Sequence, residues 1–146
     1  MGRRRVLLLI LLIGAVAAAA VSGPGSAAGV PGFTGCRSFV SRSAVAVVRP
    51  RSIVIACADA NFYATGLKWT RWDAHVAEGA GIGHQNDCTP YCAAGHFHTY
   101  RLAIRLDRVA TCGSGKEPQF TRLSWTFVGP KPTGVSRGGS ETFRCA

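Results

Sequence analysis

The stretch GIGHQNDCTPYCAAGHFH, residues 81–98, holds two cysteines and three histidines. Four of these side chains recur every fourth residue: His84, Cys88, Cys92 and His96. Thiolates and imidazoles are common zinc ligands, but on a helix this spacing would spread them over about 18 Å, too far for one ion. The proline and glycines disfavour a helix, and in an exported protein neighbouring thiols form a disulfide. The sequence therefore predicts a loop clamped by a disulfide, with no metal and no cofactor.

Two disulfide arrangements are open for this loop. The proline between Cys88 and Cys92 presets a turn that brings them together. Alternatively, one of them bonds Cys57, which closes a larger loop and stabilises the fold more. We favour the local pair. It would present Tyr91 and His84 on a rigid loop, where they could form a contact surface.

The other candidate contact residues are His96, His98 and Trp72. The two histidines are two residues apart, so on a strand they share the face of Tyr100. No carboxylate or third histidine is placed with them, and we interpret them as half-buried rim residues. Alternation places Trp72 and Trp69 on opposite faces of a strand, so one of the two rings would be exposed to solvent. An exposed tryptophan ring would suit a carbohydrate or an anionic polymer as ligand.

Signals for catalysis are few, and the catalytic residues stay unknown. Glu78 as base and a histidine as acid would suit a small ribonuclease, but nothing brings them together. Alternatively, the CTPYC loop could present Tyr91 to a protease, as inhibitors do. The chain has no nucleophile elbow and no phosphate-binding loop. Asp59 and Asn61 are interpreted as turn residues rather than calcium ligands.

The first residues have the order of a secretory signal peptide. Three arginines precede an uncharged run at 6–21, and small residues at 26–28 offer a cleavage site. The run is shorter than the roughly 20 residues that span a membrane. The sequence predicts a signal peptide at 1–28 and an extracellular protein, or one associated with the cell wall, that is not an integral membrane protein after cleavage.

All six cysteines follow the signal: Cys36, Cys57, Cys88, Cys92, Cys112 and Cys145. An even number in an exported chain favours up to three disulfides. Pairing Cys36 with Cys145 would close a loop of about 110 residues and contribute about 4.8 kcal/mol in the chain-entropy model. A faint lipidation box before Cys36 is the alternative to this pairing.

The formal charge is +10, and removing the three signal arginines leaves 14 basic and 7 acidic residues, or +7. This excess favours anionic partners, among them a cell-envelope polymer. The basic residues are scattered, which fits a role in solubility equally well. Nothing in the sequence indicates specific nucleic-acid binding.

The rest of the chain reads as β structure. Residues 52–57 predict a strand buried on both faces, and residues 99–107 and 120–128 alternate as half-buried strands do. Weaker strands are expected at 66–72, at 74–82 (small residues beneath Trp69 or Trp72), and at the edges, 39–48 and 141–145. Loose segments are expected at 22–35 and 129–140. The expected fold is mainly β, a small antiparallel β-sandwich or barrel that contains disulfides.

The sequence predicts four parts of the chain: a signal peptide at 1–28, a flexible leader with a possible edge strand at 29–50, a β domain at 51–128, and a Gly/Pro-rich segment with a C-terminal strand at 129–146. The ordered motifs ACADAN (56–61), LKWTRW (67–72) and NDCTPYCAAG (86–95) resemble a group of small uncharacterised secreted proteins of actinobacteria. The resemblance covers roughly residues 50–128 and implies export and a β fold. The expected role is a secreted non-enzymatic binding or structural module, with a small hydrolase or a protease inhibitor as alternatives.

Overall fold

In the described part of the chain, six strands form one antiparallel sheet in which every strand pairs with its neighbour in sequence. The computed structural model describes residues 29–36, 46–112 and 117–144. The strands are β1 (Ile53–Val54), β2 (Phe62–Trp72), β3 (Ala77–Asn86), β4 (Phe97–Cys112), β5 (Glu117–Phe127) and β6 (Gly138–Thr142). The sheet curls into a half-barrel. This confirms a mainly β, disulfide-containing fold, in which the described strands belong to one curled sheet that stays open because β1 and β6 do not pair.

The concave face of the sheet holds the core. Leu102, Ile104 and Leu106 of β4 are buried there, and Leu123 and Phe127 of β5 join them. These positions are the apolar half of the two alternating segments, so the predicted inward face is confirmed.

Asp107, predicted to face water, is buried although its β4 neighbour Leu106 faces the core. Two arginines cover its carboxylate: Arg122 Nε lies 2.6 Å from Oδ1, and Arg105 Nε lies 3.2 Å from Oδ2. The Arg122 guanidinium holds the pKa of the Asp107 carboxyl below its usual value.

Strand β2 contains two bulges that change which residues face inward. Its register against β3 slips by one residue between Thr65 and Lys68 and again between Trp69 and Arg71. Each extra residue reverses the alternation. The second bulge separates Trp69 from Trp72 and places both on the same face, so the predicted outward face of Trp72 is wrong.

The Trp72 ring is buried in the core. It packs edge-to-face against Trp69 at 4.7 Å and against Phe120 at 5.6 Å. Its Nε1 donates to the Pro31 carbonyl at 2.9 Å. Trp72 is thus part of the core rather than of a contact surface.

Strand β3 presents small residues to the concave face, as the sequence predicts. A Cβ added to Gly79 would lie 2.9 Å from the Trp69 ring, and one added to Gly83 would lie 3.2 Å from Leu102. Larger side chains of β2 and β4 therefore fill the space above β3. The strand begins at Ala77, later than predicted, because Asp73 accepts backbone hydrogen bonds from His75 and Val76 and holds a turn before it.

Two segments expected to be loose pack against the sheet. Phe33 is buried, and Gly32 pairs with the start of β5: its N–H donates to Pro118, and Phe120 donates to its carbonyl. Residues 129–140 include a buried Pro132 and the start of β6. Residues 31–33 were predicted to lie in a flexible leader, and that prediction is wrong for them because they pack against the sheet. The predicted signal peptide and residues 39–45 of the predicted edge strand at 39–48 lie outside the described residues.

Strand β1 is shorter than predicted. Ile53 and Ile55 are buried whereas Val54 is exposed, so the segment alternates instead of being buried on both faces. It lies at the edge of the sheet, where one face has nothing to pack against. No helix in the described part of the chain has the length and apolarity to cross a membrane.

Two disulfides are present among the described residues. One joins Cys88 to Cys92, which confirms the local pair and excludes the bond from this loop to Cys57. The other joins Cys36 to Cys57, with Cα atoms 5.1 Å apart. The predicted Cys36–Cys145 pair is therefore wrong, because β1 brings Cys57 beside Cys36. Cys112 is buried in β4, and Cys145 lies outside the described residues.

Candidate functional site: a cleft at the rim of the half-barrel

The loop between β3 and β4, residues 86–96, is held in one shape by Asn86; we call this loop the knuckle. The Asn86 amide nitrogen donates to Asn61 Oδ1 and to the Cys92 carbonyl, both at 2.9 Å, and its Oδ1 accepts from the Cys88 N–H at 2.9 Å. A Cβ at Gly95 would lie 2.1 Å from that oxygen, so glycine is required there. Together with the disulfide, these contacts fix both sides of the loop.

Asp87 is the second organising residue of the knuckle. Its Oδ1 accepts from the backbone N–H groups of His96 at 3.0 Å and Thr89 at 3.1 Å. Its Oδ2 lies 2.9 Å from His98 Nε2. The His96 N–H, the His98 ring and the Thr89 N–H, in that order, lower the pKa of Asp87 far below its ordinary value. Asp87 is thus a carboxylate that orients the His98 imidazole.

A cleft of about 420 Å³ opens where the knuckle meets the segment that precedes β6. Its polar walls come from Gln85, Asn86, Asp87, Thr89, His98 and Thr133. The Tyr100 ring lies in it and packs edge-to-face against Phe127 at 5.6 Å. A carboxylate, two amides, an imidazole and hydroxyls, together with Pro132 and Val135, thus surround one aromatic ring, which suits a small ligand that has both polar groups and an apolar face.

The histidines do not converge. His98 lies at the rim beside Tyr100, as predicted. His84 lies on the outer face, where its Nε2 is 2.8 Å from Thr65 Oγ1 and its ring stacks on Tyr63 at 4.6 Å. It is therefore not presented on the knuckle, and that prediction is wrong. His96 precedes β4 and is exposed. The described residues contain no group of three side chains that could hold a metal ion.

Two further candidates have clear positions. Tyr91, at the tip of the knuckle, is 63% exposed. Glu78 lies on the outer face and bonds Arg105 rather than a histidine, so the acid–base pair considered for a ribonuclease is not formed. Asp59 accepts from the Asn61 N–H at 3.1 Å, the turn contact expected of it.

Sequence reasoning missed Asp87 as an orienting group, and it missed Gln85, Tyr100 and Thr133 as cleft residues. Asp87 also holds a local turn, because its side chain accepts from the N–H of Thr89, two residues farther along the chain. Thr133 comes from a segment 35 positions beyond His98 in the chain. No spacing rule connects these two positions, because the curl of the sheet brings them together.

Comparisons with protein-family models, with curated proteins and with solved structures found no match for this chain. The geometry of the sheet, the knuckle and the cleft is therefore what indicates a function.

Acidification is expected to destabilise the protein as the pH falls from about 4 to 2 and below. A carboxyl whose pKa is lowered by folding stabilises the native state above its unfolded value, near 3.9, and loses that effect as the pH falls through its folded value. Asp87 has such a pKa, and so does Asp73, whose pKa is lowered to about 2 chiefly by the His75 and Val76 N–H groups.

Thermal melting of the wild type and Asp87→Asn between pH 7 and pH 2 measures the effect. The variant should melt lower at pH 7 and lose part of the acid dependence. An acid profile identical to that of the wild type would show that the Asp87 contacts do not stabilise the knuckle.

Proposed function

We propose that the protein is an extracellular, non-catalytic binding module and that the rim cleft receives one sugar unit of a cell-envelope polymer. The observation that carries this proposal is the arrangement of Gln85, Asp87 and His98 around the Tyr100 ring in an open cleft. The composition of residues 1–28 supports export, which is a prediction from the sequence.

The chemistry of the cleft fits a saccharide better than an apolar ligand. A sugar presents hydroxyls that both donate and accept, and the cleft offers a carboxylate, an amide and an imidazole to meet them. A sugar also has apolar C–H faces, which pack on an aromatic ring such as Tyr100. Because Asn86 and the Cys88–Cys92 bond already order the knuckle, binding loses little conformational entropy there.

Calorimetric titration with chitotetraose, a neutral N-acetylglucosamine oligomer, tests the proposal. We expect a Kd of about 1 mM or tighter for the wild type, the weak range for a single small site. His98→Ala, which removes the Asp87 partner, and Thr133→Trp, which fills the cleft, should each weaken binding about tenfold, or 1.4 kcal/mol. The matched control is Thr142→Trp, an equally large addition at an exposed position of β6.

An unchanged Kd in both cleft variants would overturn the cleft assignment. Absence of binding by the wild type, repeated with a galactan and an arabinan oligomer, would overturn the saccharide itself. Weakening by Thr142→Trp equal to that by Thr133→Trp would also count against the cleft.

A second candidate function is hydrolysis, favoured by the Asp87–His98 contact in an accessible cleft. A carboxylate that orients an imidazole is half of a general acid–base arrangement, in which the imidazole would activate a water. Incubation with chromogenic ester, glycoside and phosphodiester substrates tests it. Turnover that His98→Ala abolishes would replace the binding proposal, and absence of turnover on all three would end this candidate.

The inhibitor alternative depends on Tyr91, which the knuckle presents to solvent. A rigid, disulfide-closed loop with one exposed ring is the form in which inhibitors fill a protease pocket. Inhibition of a panel of serine proteases, lost in Tyr91→Ala, is the result that would favour it.

A further inference from the structure

The outer face of the sheet carries an exposed patch of apolar and aromatic side chains near the knuckle. We call Tyr63, Ile82, His84 and Phe97 the outer patch. Phe97 is 47% and Ile82 40% exposed. The Tyr63 ring stacks on His84 and meets the Phe97 ring edge-on at 5.4 Å. Exposed apolar side chains grouped in this way mark an interaction surface more often than isolated ones do.

Two cations follow the outer patch along the sheet. Arg101 pairs directly across from Ile82, and Lys68 pairs across from Ala80, one outward-facing row farther from the knuckle. Outward rows are about 7 Å apart along a strand. Among the described residues neither cation makes an ion pair, whereas Arg71, Arg105 and Arg122 each do.

Small side chains leave room on the sheet for an extended ligand beside Arg101 and Lys68. Ala80, Ala103 and Thr126 form one row across three strands. With their neighbours they line a shallow groove of about 350 Å³. The Glu78–Arg105 pair and Thr70 lie at the side away from the knuckle. An extended ligand could therefore run from the outer patch past Arg101 to Lys68 in contact with the sheet.

We propose that this outer face binds an extended acidic glycan, with a sugar packed on Phe97 and its acidic groups at Arg101 and Lys68. Single-stranded nucleic acid fits less well, because binding successive bases requires a series of open ring faces. Here Tyr63 and His84 cover one face of each other. A second copy of the chain fits less well too, since a two-fold contact on this face would bring like charges together. This surface is separate from the rim cleft.

The test is binding to an alginate oligosaccharide, a uronate chain, measured by fluorescence anisotropy of the labelled oligomer at several salt concentrations. Phe97→Ala should weaken binding about tenfold. Arg101→Gln should weaken it about fivefold and reduce its dependence on salt, because one ion contact is lost. The matched control is Arg144→Gln, an equal change of charge at an exposed position that follows β6, the edge strand farthest from β2.

Three results would overturn the proposal. Arg144→Gln could weaken binding as much as Arg101→Gln, which would mean attraction to net charge alone. A single-stranded thymidine oligomer could bind as tightly as alginate with the same dependence on Phe97, which would make the ligand a nucleic acid. Alginate could fail to bind the wild type at low salt. That result would refute the outer-face proposal, and it would do so independently of what the cleft binds.

Discussion

Trp72→Ala is expected to lower the free energy of unfolding by about 3–5 kcal/mol, the range for removing a large buried aromatic side chain. The ring is buried between Trp69 and Phe120, and its N–H holds the Pro31 carbonyl. The variant therefore loses core packing and the contact that anchors the segment before β1. Urea denaturation followed by circular dichroism measures the loss.

Tyr91→Ala is the control, because it removes an exposed ring and should change the free energy of unfolding by less than about 0.5 kcal/mol. A loss below about 1 kcal/mol for Trp72→Ala would mean that the ring faces solvent, as simple alternation from Trp69 predicts. That result would contradict the second bulge, between Trp69 and Arg71.

Asn86→Ala is expected to lower the free energy of unfolding by about 3 kcal/mol and to abolish saccharide binding in the cleft. The change leaves the Cys88 N–H, the Cys92 carbonyl and Asn61 Oδ1 without their side-chain partner, and each such loss costs about 1 kcal/mol or more. The knuckle would then no longer hold the wall of the cleft.

Asn61→Ala is the milder comparison variant, because it removes only one of these three contacts of Asn86. It should lower the free energy of unfolding by about 1 kcal/mol and largely keep saccharide binding in the cleft. Equal losses in stability for the two variants would show that Asn86 acts through Asn61 alone rather than by fixing the loop. Both variants are measured by denaturation and by the chitotetraose titration.

The inward residues of β4 and β5 could be predicted because period two alone decides which side chains share a face. The same rule failed at Trp72, because the second bulge of β2 separates it from Trp69 and no local signal in WTRW marks that bulge. Gly66, at a positive φ of 61°, is the one residue that hints at the first bulge.

The disulfides show the same limit. The Cys88–Cys92 bond follows from a proline turn between close cysteines, so local sequence is enough to favour it. The Cys36–Cys57 bond depends on how the segment 29–36 packs beside β1, and this is a property of the tertiary structure rather than of the local sequence. Loop entropy favours long loops, and it therefore pointed to Cys145 instead.

The candidate site was only partly accessible from the sequence. His98 could be placed at the rim beside Tyr100 because both alternate on one strand. Its Asp87 partner depends on the reversal of the knuckle, and Thr133 reaches the cleft through the fold of the segment before β6. Sequence reasoning thus found the loop but not the cleft that the loop encloses.

The most direct test of the central claim is an amide NMR titration of the protein with chitotetraose. If the rim cleft is the binding site, progressive shifts should concentrate at Gln85, Thr89, His98 and Thr133, while the distant outer-face amides of Lys68 and Ala80 stay unchanged. Shifts confined to the outer face, or no shifts at about 10 mM sugar, a concentration well above the expected Kd, would contradict the claim.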